Sequence, residues 1–170
     1  MQQYANNGGI KMVEKFSNAF EKIGKQWMLI TASDGEKVNA MTASWGGLGV
    51  IWGKNVAYIF VRESRYTKEF IDKNDTLSLA FFSEDKKEML GYMGKVSGRD
   101  EDKIAKAGLT VSMKEGIPVF EEAESTLLCK KLYAGEINAK DFVDESIDSK
   151  WYENKDYHTM YIVEILDIVE

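Results

Sequence analysis

Short segments dense in branched and aromatic residues recur along this chain with only brief helical stretches between them, and that pattern restricts the fold more than any other feature. Gln26 to Ala32 (QWMLITA), Val38 to Ser44, Val56 to Val61 (VAYIFV) and Leu77 to Phe82 (LSLAFF) each read as a strand. A strand pair follows, Glu124 to Ile137 with His158 to Val169. Ser33-Asp34-Gly35 is a turn signal, so the first two strands form a hairpin. Met12, Phe16, Ala19, Phe20 and Ile23 repeat at helical spacing, which predicts an amphipathic helix over 11–23 stopped by Gly24. Thr67 to Lys73, capped by Ser64 or Thr67, Lys86 to Tyr92, and Glu101 to Ala107, closed by Gly108, read as shorter helices. Gly46, Gly47, Gly49 and Gly53 mark a glycine-rich loop, and Asp141 to Asn154 an acidic loop with a turn of helix. Strands joined by hairpins and brief helices, without strict βαβ alternation, predict a mainly β (α+β) fold, a small antiparallel barrel with helices outside. A doubly wound sheet is the weaker alternative.

The totals remove several classes of function. A chain of 170 residues suffices for one sizeable core, and no linker or internal repeat divides it, so 1–170 reads as a single domain. One cysteine, Cys129, excludes an internal disulfide and any multi-cysteine zinc or iron–sulfur site, and its place in TLLCKKL reads as core. One histidine, His158, removes every two-histidine metal motif, so no metal site is expected. The nucleophile elbow is missing as well, because Gly94-Lys95-Val96-Ser97-Gly98 carries its serine one place too late. No apolar run reaches a bilayer's width and the first residues lack a secretory core, so the expected place is the cytoplasm, away from membranes.

Charge then points to one small anion. Acidic residues outnumber basic ones by 28 to 22, which disfavours nucleic acid as a partner. Lys54 to Lys68 nevertheless holds Lys54, Arg62, Arg65 and Lys68 against Glu63 alone. Ser64-Arg65-Tyr66-Thr67 sets hydroxyls, a rigid fork of donors and free N–H groups at a helix start, which is how a phosphate is held. Lys95 to Asp100 (KVSGRD) repeats the idea with Ser97 and Arg99, although plain capping explains that segment equally well. Upstream, small hydroxyl residues Thr42 and Ser44 alternate with Met41, Ala43, Trp45 and, further on, Trp52, a surface suited to a planar ring that also takes hydrogen bonds. Neither nucleotide fingerprint survives: the phosphate loop fails at Leu48 and Asn55, the dinucleotide form at Trp52.

With NAMTASWGG, FVRESRYTKEFI, LSLAFF, KVSGRDEDKIAKAGL and YHTMYIVEILD in that order, the chain resembles the flavin reductase-like, FMN-binding split-barrel family, in its flavoredoxin-like branch. The resemblance implies a Greek-key split β-barrel that works as a homodimer, with FMN held non-covalently near the subunit interface. It implies that Asn39 to Trp45 lies along the isoalloxazine and that Arg62 to Thr67 holds the phosphate. By the same resemblance Ser97 to Asp100 approaches the cofactor, and His158 is a flavin-facing residue with a catalytic role.

The activity expected from that likeness is FMN-dependent oxidoreduction. Hydride from NADH or NADPH reaches flavin N5, and electrons then pass to free flavin or another acceptor; no segment assignable to the nicotinamide dinucleotide is visible. Because the flavin carries the chemistry, the protein's residues act by binding and tuning. Two alternatives stay open: a non-enzymatic FMN carrier serving a redox partner protein, and a haem-binding relative with His158 as axial ligand.

Overall fold

The computed structural model describes Phe16 and residues 18–170. Its strands are β1 Met28–Ser33, β2 Val38–Ala43, β3 Gly46–Ile51, β4 Lys54–Arg62, β5 Thr76–Phe81, β6 Val111–Lys114, β7 Ile117–Phe120, β8 Ser125–Glu136 and β9 His158–Val169. Seven of these form one antiparallel sheet in the order β2-β1-β5-β8-β9-β4-β3, while β6 and β7 pair separately. The sheet's two edges, β2 and β3, follow each other in the chain with only Ser44 and Trp45 between them. The start of β3 also lies close to the other end of the sheet, since a Cβ on Gly46 would stand 3.5 Å from the Met28 side chain on β1, the strand paired with β2. A barrel closed by hydrogen bonds everywhere but at β2/β3 is a split barrel.

Period-two alternation builds the interior. Met28, Ile30 and Ala32 of β1 meet Ala57, Ile59 and Val61 of β4, Leu77, Leu79 and Phe81 of β5, and Tyr161 and Val163 of β9 in one buried cluster. Cys129 lies fully buried in the same cluster, where loss of water pushes its thiol far above the ordinary range and makes it a packing residue. The opposite face of β1 and β5 is covered too: Leu29, Ala80 and Phe82 pack against Leu90 and Met93 of the Lys87–Lys95 helix. Burial on both faces is why LSLAFF is apolar at every position but one, and that one, the buried Ser78, donates its hydroxyl to the Pro118 carbonyl. Register shifts at Leu128/Cys129 and Lys131/Tyr133 bend the long β8–β9 pair round the barrel.

Four expectations change. Six of the thirteen residues of the predicted N-terminal helix, 11–15 and 17, lie outside those described; within the described ones a π-helical turn, Phe20–Gln26, continues through Gly24 and ends only at Trp27, whose φ is 72°. Trp27 is held there by packing on the Leu90 and Met93 cluster and by the Lys87 ammonium 3.2 Å from its ring centroid, so tertiary contact overrides the glycine stop. Phe20, counted on the apolar face, is 91% exposed. The glycine-rich loop is strand β3: the Tyr58 ring of β4 lies across it, 3.1 Å from where a Cβ on Gly49 would stand, and supplies the bulk the glycines lack. The β6–β7 hairpin was not anticipated; its signal is Glu115-Gly116, both at positive φ in a tight turn.

Candidate functional site

The β4–β9 register places Arg62 directly opposite His158 at one end of the ladder, next to the seam between β2 and β3. A cleft of about 170 Å³ opens there, walled by Met41, Thr42, Ala43, Ser44 and Trp45 on one side and by Phe60, Arg62, Arg65 and His158 on the other. The Trp45 ring stands 5.2 Å from the imidazole of His158 and 5.1 Å, edge-on, from Trp151. Trp45 and Trp151 remain 40% and 46% exposed, which makes them a flat apolar rim. Thr42 is less free than its hydroxyl suggests: it donates to the Leu90 carbonyl, leaving its oxygen as an acceptor only.

His158 is buried and neutral. Its Nδ1 lies 2.8 Å from the Tyr152 hydroxyl. Burial above all, with Arg62 adding to it, pulls its pKa down from 6.5 to about 4. Arg62 itself donates to the carbonyls of Asp156 at 2.8 Å and Trp151 at 3.1 Å, and its guanidinium lies 5.2 Å from the Tyr152 ring centroid. It therefore ties the 151–156 segment over the end of the barrel and presents its charge to the cleft from a fixed position.

Met41 and Arg65 also belong to a second, adjoining pocket of about 150 Å³, reached without leaving the groove. Asn39, Ser64, Tyr66, Thr67, Ser97 and Lys103 help to line it. Among the described residues, no side chain caps the Tyr66–Lys73 helix that opens here. Both predicted caps are engaged elsewhere: Ser64 gives its N–H and its hydroxyl to Asp156, and Thr67 accepts from Asn39 Nδ2 at 2.8 Å. Arg65 donates to the Gly94 carbonyl and Lys103 to those of Met93 and Val96. Neither cation has a carboxylate partner among the described residues. A third cleft of about 420 Å³ continues from this pocket past Asn39, Tyr66, Gly98 and Lys103.

Most of the sequence-predicted residues thus line one groove, but two do not. Trp52 sits in the β3–β4 turn with φ 53° and 58% exposure, at the far end of β4 from Arg62. Trp52 takes a positive φ that bulky residues seldom adopt, and nothing in the sequence told it from Trp45. Arg99 lines neither of the two site pockets: it covers the Tyr66 ring at 4.7 Å, donates to the Ser64 carbonyl and pairs with Glu69, so it braces the loop from outside. Lys103, Phe60, Tyr152 and Asp156 were missed. Phe60 was visible as part of VAYIFV, whereas a lysine in KIAKAG carries no sign that it is buried.

Residues 20–170 match the family described as "Flavin reductase like domain". The chain belongs to that family. Solved structures with this fold include flavoredoxin from Methanosarcina acetivorans, at 22% identity with a TM-score of 0.68, covering 85% of this chain and 68% of that one. An FMN-binding protein from Thermus thermophilus with bound p-hydroxybenzaldehyde gives 18% identity and 0.65, covering 85% and 70%. The styrene monooxygenase flavin reductase of Pseudomonas putida S12 gives 13% and 0.62, covering 91% and 84%. At these identities the structures establish a shared fold. No curated protein matches the chain. In this flavin reductase-like domain, the groove at the β2/β3 seam is where flat aromatic and cationic side chains meet.

Proposed function

We propose that the protein binds FMN non-covalently in this groove and acts as a flavin reductase-like oxidoreductase with NADH or NADPH as donor. The observation that carries the reading is the junction of the two pockets through Met41 and Arg65: one is flat, aromatic and lined with hydroxyls, the other is lined by Arg65, Lys95 and Lys103, none of which has a carboxylate partner among the described residues. A planar ring on a phosphate tail matches both at once.

The residues present fit that cofactor. Arg65 and the uncapped start of the Tyr66–Lys73 helix would take the phosphate, and Met41 to Trp45 would run along the ring. When bound, the flavin supplies two-electron redox chemistry of its own. Arg62 puts a fixed positive charge at the ring cleft, where it favours any negative charge that gathers there. His158, kept neutral by burial, offers a polar contact without a second charge. Trp45 and Trp151 exclude water from one rim, and we propose that a second copy of the chain covers them, making the working form a homodimer.

Stopped-flow mixing tests the reading. The protein reconstituted with FMN, mixed anaerobically with NADH or NADPH, is expected to lose its flavin absorbance promptly with at least one of them. Bound flavin that neither nucleotide reduces within minutes would instead identify an electron carrier served by a partner protein. Failure to bind FMN at all sinks both.

A further inference from the structure

Arg65 and Lys103 approach each other from different elements and share one anchor, the C-terminal end of the Lys87–Lys95 helix. Arg65 donates to the Gly94 carbonyl at 2.8 Å, and the Lys103 ammonium donates to Met93 and Val96, each at 2.9 Å. Carbonyls at that end of a helix carry partial negative charge, enough to gather cations but not to neutralise two of them. Lys103 is only 4% exposed, yet it has no carboxylate partner among the described residues, an arrangement that is costly in a folded interior. Two of the ammonium's three protons are accounted for by the carbonyls, and the same side chain lines the anion pocket, where the third has room to serve a ligand.

We propose that Lys103 is the specificity-determining charge of this pocket: with Arg65 it holds a dianionic phosphate ester, selects FMN over riboflavin, and makes that selection depend on pH. The proposal rests on the flavin reading above.

The surrounding charges support it. From the Tyr66–Lys73 segment Arg65 and Tyr66 face Lys103, from the preceding helix Lys95 stands at the exposed rim, and from the start of β2 come Lys37 and Asn39. The two acids that immediately precede Lys103 are committed elsewhere. Glu101 accepts from Tyr92 and pairs with Lys106, and Asp102 accepts from the Ala105 N–H. Burial first, and then the nearby Arg65, pull the Lys103 pKa down from 10.5 to about 8. A dianion between the two cations offsets that repulsion and favours the charged lysine. FMN affinity should therefore fall as pH rises through about 8, while riboflavin affinity stays level.

The test is the ratio of riboflavin to FMN dissociation constants, measured by fluorescence quenching from about pH 7 to about pH 10. Titrations of the ring are common to both ligands and cancel. In the wild type the ratio should exceed roughly tenfold at neutral pH and decline as pH rises. Lys103→Met should lower it by about tenfold at neutral pH, flatten the profile and leave riboflavin affinity in place, with Lys103→Arg restoring the ratio but not the pH dependence. A wild-type ratio that stays flat overturns the proposal, and this readout needs no variant to fold. So does a folded Lys103→Met protein that keeps both ratio and slope, which would make Lys103 a mere tie for two carbonyls. If no flavin binds, the flavin reading fails separately. Inorganic phosphate then becomes the probe: binding lost in Lys103→Met upholds the anion site, and no binding to the wild type ends it.

Discussion

The Tyr152 hydroxyl and His158 Nδ1 meet at 2.8 Å inside the barrel's end, beneath Trp45. With imidazole neutral and the phenol held protonated by burial, the phenol is the natural donor, which leaves the Nε2 proton of His158 for other partners. In the unfolded chain this histidine titrates near 6.5, and in the folded chain near about 4. Between those values only the unfolded state takes up the proton. Stability is therefore full above the upper value and falls as pH drops toward the lower, at up to about 1.4 kcal/mol per pH unit. Urea unfolding across this range should show the slope in the wild type and a shallower one in His158→Phe; parallel profiles would mean that His158 is not buried neutral.

Arg62 and Arg65 should separate by phenotype. Arg62→Ala removes two charged hydrogen bonds that tie down the carbonyls of Trp151 and Asp156, and is expected to cost about 1.5–3 kcal/mol of stability. Arg65→Ala keeps that segment in place and should weaken FMN by roughly tenfold to a hundredfold while sparing riboflavin. Denaturation curves and flavin titrations on both variants check this; an Arg62→Ala protein as stable as wild type would contradict it.

Asp156 already occupies the donors of Ser64, accepting from its N–H at 3.1 Å and its hydroxyl at 2.6 Å. Ser64 is therefore expected to contribute to loop order more than to ligand binding. Ser64→Ala and Asp156→Asn should each cost on the order of 1 kcal/mol, couple in a double-mutant cycle, and change FMN affinity less than about threefold. A large affinity change in Ser64→Ala would return that hydroxyl to the ligand.

Gly98 has no room for a side chain. A Cβ there would stand 2.2 Å from Asn39 Oδ1, and Asn39 is buried and bonded to Thr67. Gly98→Ala is expected to cost about 1–3 kcal/mol and to narrow the anion pocket, so that thermal stability and FMN affinity fall together. Retention of both would show that Asn39 swings away at little cost.

Which parts of this were legible in the sequence follows from what local patterns encode. VAYIFV and LSLAFF announced strands because their composition is set by burial on the barrel, and the β8–β9 pair was placed within a residue at each end. Ser64 to Thr67 announced a helix start beside charge. The roles of Trp27, Tyr58 and Lys103 were hidden because each depends on a neighbour in another element: the Lys87 ammonium, the bare backbone of Gly49, and the carbonyls of Met93 and Val96. Arg62 stood out in the sequence as part of a cationic cluster, and the structure puts it on the cleft wall, yet its bonds to residues 151 and 156 could only come from the fold.

The gap between β2 and β3 has one more effect. On the side facing away from β1, no strand among the described residues pairs with β2, so the peptide groups that point there lie outside the sheet's ladder, beside the cleft walled by Met41 to Trp45. A flat heterocycle entering there can dock on main chain alone, like one more rung on an unfinished ladder, and substitutions along 41–45 could redraw the walls without erasing that contact.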